Sequence, residues 1–223
     1  MRHANKIWVT CLLLLFTSAA ESCKRSPQFT ESNSGDLSGQ RVANYDAWGG
    51  DFSTMLVQMA QKYELPIGMD LERAKKSQLA TRHISNGNVA DILNSVVSQE
   101  PGYEWADVGG VINVTPKDRK NSILDVRIAK FKVTDANPFE IHDAIVSLPE
   151  VKRWLADNQL AENTGFAGII PVGRNGPALP RTSINMHNVT LEQILNAIVK
   201  SGLSSWNISR WGDNSQYLSI SVG

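Results

Sequence analysis

The sequence predicts an α+β fold made of two tandem small modules, each with two helices packed on a mixed β-sheet. Three observations carry this reading. Residues 82–97 (RHISNGNVADILNSVV) return 102 positions later as residues 184–199 (INMHNVTLEQILNAIV), and such internal similarity marks one structural unit used twice. Asn86, Ile92, Leu93, Asn94 and Val97 match Asn188, Ile194, Leu195, Asn196 and Val199. Each copy reads as a strand running into an amphipathic helix. A hairpin signal then follows each helix: Gly109-Gly110 in the first half, Gly212-Asp213-Asn214 in the second.

Residues 1–20 read as a secretory signal peptide. Arg2 and Lys6 form a positive start, Ile7 to Phe16 is apolar, and Thr17-Ser18-Ala19-Ala20 offers small residues for cleavage. The apolar run is shorter than the roughly 20 residues that cross a bilayer. Residues 21–40 are rich in Ser, Asn and Gly and read as a flexible linker. The modules are expected at residues 41–117 and 122–223.

In the first module, Asp51 caps a helix at 52–63 that carries Phe52, Met55, Leu56, Met59, Ala60 and Tyr63 on one face. Leu65 to Asp70 is a short strand, and Pro66 near its start suggests an edge or entry position. Leu79 to Ser85 is a second strand. Asn86-Gly87-Asn88 turns and caps a helix that presents Val89, Ile92, Leu93, Val96 and Val97. Pro101-Gly102 stops it, and Tyr103–Asp107 pairs with Val111–Thr115.

The second module repeats this order. Ile123 to Val133 alternates apolar and polar residues over one long strand. Asn137-Pro138 opens a helix, Pro149 interrupts it, and Glu150 to Asn158 continues as another helical piece. Gly165 to Val172 is strand-like and Gly173 to Pro180 a loop. Thr182 to His187 is a strand, and Thr190 with Gln193 forms a capping box for a helix carrying Leu191, Ile194, Leu195, Ile198 and Val199. Trp206–Trp211 and Tyr217–Val222 close the chain as a hairpin. About five buried side chains per helix, at roughly 1.5–3 kcal/mol each, give about 7–15 kcal/mol gross before entropy.

Composition excludes some functions. The chain holds 22 basic and 22 acidic residues. Loss of Arg2 and Lys6 with residues 1–20 leaves a net charge of about −2, which does not favour a polyanion and argues against nucleic acid. Of 2 cysteines, Cys11 lies in the signal segment, so no disulfide framework is expected. Cys23, just after that segment, is a candidate lipidation site. The preceding Ala20-Glu21-Ser22 fits a lipobox poorly, and the alternative is a free thiol in a tail.

No reaction chemistry recurs with the repeat. His3, His83, His142 and His187 show no metal-ligand spacing, and no metal or cofactor is expected. His142 beside Asp143 reads as a surface pair, because neighbours in a helix point to different faces. No nucleophile elbow or phosphate loop occurs. Gly173-Arg174-Asn175-Gly176 reads as a connector turn. Trp105, Trp154, Trp206 and Trp211 read first as packing residues, with Trp206 and Trp211 also offering a stacking platform.

Phe52 to Pro116 resembles the secretin and TonB short N-terminal domain. The likeness rests on Leu65 to Leu71 as the first strand and Ser85 to Leu93 as the strand-to-helix junction. It is closer at Asn188-Val189-Thr190-Leu191-Glu192-Gln193-Ile194-Leu195. Two departures stand out: the second copy is longer than the family norm, and no β-barrel or pore follows before Gly223. The resemblance implies a non-catalytic exported envelope protein, periplasmic or associated with the outer membrane, that binds other envelope proteins such as secretin or TonB-dependent systems. Contact with membrane would come only through an N-terminal lipid.

Strand addition at open sheet edges, or docking on a helix-free face, is the expected mode. Candidate partner-binding residues are Leu65, Ile67, Met69, Ile169, Ile170, Trp206 and Trp211. The alternative is a periplasmic hydrolase or carbohydrate-binding protein using the 165–180 loop with Trp154, Arg174 and His187.

Overall fold

The computed structural model describes residues 37–47, 50–71, 79–162, 179–211 and 216–223. All of them belong to one compact unit, Asn33–Gly223. The fold is α+β, with five helices among the described residues.

After a 3-10 turn at Leu37–Gly39, the first half runs β1 (Arg41–Ala47), α1 (Phe52–Tyr63), β2 (Ile67–Asp70), β3 (Arg82–Asn88), α2 (Val89–Val97), β4 (Tyr103–Asp107) and β5 (Ile112–Pro116). The second half runs β6 (Arg127–Ala136), α3 (Pro138–Val146), α4 (Pro149–Asp157), β7 (Ala161–Glu162), β8 (Thr182–Thr190), α5 (Leu191–Lys200), β9 (Ser205–Trp211) and β10 (Tyr217–Val222). In both halves the pairings follow one scheme. β1 and β3 form an antiparallel ribbon, as do β6 and β8. β2 lies parallel to β5 and β7 parallel to β10, while β4 and β9 run antiparallel to β5 and β10.

The halves do not keep separate sheets. β2 lies parallel to β9, which fuses them into one six-stranded sheet in the order β4-β5-β2-β9-β10-β7. This corrects the expectation that Leu65–Asp70 forms an edge. Its free side is taken by the second half of the same chain. Other differences are local. Ile123–Asp125 is a 3-10 turn capped by Ser122, so the long strand starts only at Arg127. The strand expected at 165–172 lies outside the described residues.

Strand alternation sends successive side chains of β2 and β5 to opposite faces. Ile67, Met69, Ile112 and Val114 enter the core with α1 and α2. Gly68 instead meets Trp206 of β9, and Asn113 meets Glu192 of α5. β2 and β5 are therefore covered by first-half helices on one face and by α5 on the other. Every residue of β2 and of β5 is buried as a result.

Local chemistry explains the helix ends. α2, α3 and α5 each begin with a capping box, on Asn88–Asp91, Asn137–Glu140 and Thr190–Gln193. Such caps are worth about 1 kcal/mol each. Asp51 caps α1, and bonds from the Ser53 hydroxyl (2.6 Å) and the Thr54 amide (2.7 Å) hold its carboxyl below the usual range. The repeated asparagine has a backbone cause. Asn86 and Asn188 sit at φ 54° and 53°, the left-handed region that asparagine tolerates better than most residues.

Tyr45 of β1 is 1% exposed, and its hydroxyl has no hydrogen-bond partner among the described residues. Burial, and to a lesser degree Tyr63, push its pKa up to about 12. The fold favours the neutral phenol. Its contribution is therefore complete below the unfolded pKa of about 10 and is lost as pH rises from there through the folded value. Tyr45→Phe should leave stability at pH 7 unchanged or raise it by up to about 1 kcal/mol, since no bond is broken. It should also flatten the loss between pH 10 and 12, as read by urea unfolding across that range.

Candidate functional site

The joint between the halves is a short parallel pairing of β2 with β9. Along β2 and β9, Ile67 pairs with Ser205, Gly68 with Trp206, Met69 with Asn207 and Asp70 with Ile208. The Ile67 amide donates to the Ser204 carbonyl (3.2 Å) and the Leu71 amide to the Ile208 carbonyl (2.7 Å). A side-chain network reinforces this pairing. Glu192, in the first turn of α5, accepts from Asn113 Nδ2 (2.9 Å) and from two nitrogens of Arg119 (3.3 and 3.1 Å). Arg119 also holds Asp125 (2.9 Å). Burial works against the Arg119 charge, but the hydrogen bonds and charge of Glu192, with Asp125 and Asp70, outweigh it and raise its pKa above the ordinary arginine value. The connector between the halves is thus pinned at Arg119.

A tryptophan–asparagine pair recurs in both halves. Trp206 Nε1 donates to Asn196 Oδ1 (2.7 Å), and Trp105 Nε1 donates to Asn94 Oδ1 (2.9 Å). Asn94 and Asn196 are the matched asparagines of the repeat, so their recurrence has a function: each α-helix holds the indole of the following strand. The signal was in the sequence, because a tryptophan follows each asparagine by 11 or 10 residues.

The two pairs differ in what covers them. The Ser205 and Gly223 main chains exchange bonds (2.7 and 3.0 Å). Bonded pairs alternate along an antiparallel ladder, so Trp206 turns its main chain away from β10, toward β2. In the other half, Val108 N donates to Val111 O and Lys117 N to Gly102 O, both at 2.8 Å. The same alternation turns Trp105 and Asp107 away from β5. No strand among the described residues pairs with that side, because β4 ends the sheet. Trp206 is 0% exposed and Asn196 5%, whereas Trp105 is only half-buried and Asn94 is exposed. A cleft of about 440 Å³ opens at this edge, lined by Asn94 and Val97 of α2, Ser98 just after it, Tyr103 to Trp105 of β4, Pro101 and Lys117.

The residues expected at a partner-binding site fare differently. Leu65, Ile67 and Met69 are 1%, 0% and 2% exposed. They are interior because β9 and the first-half core cover them, and this corrects their assignment to an open edge. Trp206 is likewise interior, wedged against Gly68 and bonded to Asn196, so it offers no stacking platform. Trp211 ends β9 opposite Tyr217, and its side chain lies outside the described atoms. Ile169, Ile170, Arg174 and Cys23 also lie outside the described residues. Trp154 of α4 packs on the second core, and His187 of β8 is exposed opposite Lys130.

Two histidines carry polar partners. His83 Nδ1 contacts Asp46 Oδ1, and its Nε2 lies 2.8 Å from Ser85 Oγ. The order Ser–His–Asp is that of an activated nucleophile. However, His83 and Asp46 side chains are 61% and 53% exposed, so water competes for each bond and the relay reads as register pairing across the β1–β3 ribbon. His142 is not the surface residue expected. Its side chain is 8% exposed, with Nδ1 3.3 Å from Asp143 and Nε2 3.9 Å from Glu162. α3 packs against β10, next to the edge strand β7, and that packing buries His142.

Among the described residues no cluster of three or more His, Cys, Asp or Glu could hold a metal ion, and no helix is long and apolar enough to cross a membrane. Comparison with known proteins returned no matching family model, no matching curated protein and no matching solved structure.

Proposed function

We propose that this protein is a non-catalytic, exported protein-binding or assembly module of the secretin and TonB short N-terminal kind, and that it docks its partner on the open β4 edge and the cleft beside α2. One observation carries this reading. The same indole–amide pair is capped by a strand in the second half and left uncapped, beside a cleft, in the first. Strand addition supplies main-chain bonds for affinity and a side-chain pocket for selectivity. Partners are expected among envelope proteins, with secretin or TonB-dependent systems the first candidates. Cys23 would serve as the tether if it is acylated.

The test is a pull-down from native envelope extract with wild type and with Asp107→Pro, which removes an outward amide from β4. A protein recovered by wild type and lost with the variant supports the reading. Identical recovery by both, or no recovery by either, would sink it. Hydrolysis of p-nitrophenyl acetate that disappears in Ser85→Ala would instead favour a hydrolase working through Asp46, His83 and Ser85, a site other than the 165–180 loop.

A further inference from the structure

Resting on that reading, we infer that the β4 edge takes an extended segment of another protein, laid parallel to β4, with a glycine facing Trp105. The internal joint is the template. Where β2 lies on β9, the residue beside Trp206 is Gly68, and a Cβ built there would fall 2.1 Å from indole Cε2 and 2.2 Å from Cζ2. The indole leans over the neighbouring strand because Asn196 anchors its Nε1. Only a residue without a side chain fits beneath it.

Trp105 is set the same way. Its Nε1 is anchored by the matched asparagine of the preceding helix, and its main chain faces the free side of the strand. A strand added there meets the same leaning ring, so the same steric rule applies. Alternation also fixes the remaining contacts. The glycine faces the cleft and α2, while its neighbours face the side of β4 where Glu104 and Ala106 are exposed. In the internal joint those neighbours, Ile67 and Met69, are covered by β2's own half. A full-affinity partner therefore presents the glycine on an edge strand of a folded domain that shields the flanks itself. An isolated peptide carries the glycine rule with weaker affinity.

The experiment uses two synthetic peptides, residues 64–72 of this chain (ELPIGMDLE) and the same peptide with valine at the glycine (ELPIVMDLE). Each is titrated into the ¹⁵N-labelled protein, and the Trp105 indole N–H resonance is followed, identified by its loss in Trp105→Ala. The expected result is a saturable shift with the glycine peptide. Affinity should be at least roughly tenfold weaker with valine, as follows when a side chain must displace a bonded ring. Equal affinity for both peptides, with the Trp105 resonance shifting, overturns the glycine rule and leaves strand addition standing. No shift with either peptide, or binding that persists unchanged in Trp105→Ala, overturns the inference itself. The pull-down then judges the broader reading separately.

Discussion

Trp206→Ala should lower the free energy of unfolding by about 4 kcal/mol, within the range for large aromatic truncations in a core. Trp206 is 0% exposed, and the variant would also strand the buried Asn196 amide without its donor. Trp105→Ala removes the same residue from the same kind of pair, yet should cost only about 1 kcal/mol, because Asn94 can bond to water. Urea unfolding of the two variants gives the contrast directly. Gly68→Ala extends it. The added methyl meets ring atoms that cannot swing away, so a loss of about 2–3 kcal/mol is expected from overpacking. In the Trp206→Ala background the clash is gone, and the same methyl should cost less than about 1 kcal/mol. That difference is the signature of contacting residues in a double-mutant cycle. Equal losses for the two tryptophans, or strict additivity of Gly68→Ala and Trp206→Ala, would mean that the halves are not locked by this indole.

The periodic elements were legible in the sequence because their causes are local. Apolar spacing in α1, α2 and α5, and the caps at Asp51, Asn88, Asn137 and Thr190, each depend on residues within one or two turns. The joint was not legible because it pairs residues more than 130 positions apart. A strand reading Leu-Pro-Ile-Gly-Met-Asp looks the same whether its second side faces water or another strand. Pro66, read as an edge marker, sits just before β2, where it gives up no ladder bond. The short apolar run was the clue that went the other way. Ile67 and Met69 on one face and a bare glycine on the other suit a strand covered on both sides. Arg119 was equally hidden, since a single arginine in a polar connector carries no periodicity. The candidate edge was half visible. The repeat exposed Asn94 and Asn196, but only the pairing pattern tells which of the two tryptophans is left uncovered.

The polar side of the joint makes the second large prediction. Glu192→Leu should cost about 3 kcal/mol, since it leaves the Asn113 amide without an acceptor in a residue 2% exposed and removes two of the bonds that hold Arg119. Both members of the ion pair are largely shielded, with side-chain exposures of 18% for Glu192 and 29% for Arg119. That places the pair between a surface bridge, worth under about 1 kcal/mol, and a fully buried one. Glu192→Gln keeps an acceptor for Asn113 and should lose about half as much. The decisive variant is Glu192→Leu with Arg119→Leu. Removing both charges spares the fold a partly buried guanidinium left with only its bond to the exposed Asp125, so the double variant should be more stable than Glu192→Leu alone. Hydrogen exchange locates the effect. The amides of Ile67 and Leu71 donate across the joint, and in Glu192→Leu they should lose protection well before the amides in the middle of α2, because the joint opens as a local unit. Uniform loss of protection across both halves would show instead that Glu192 supports α5 alone, and that β2 stays on β9 without it.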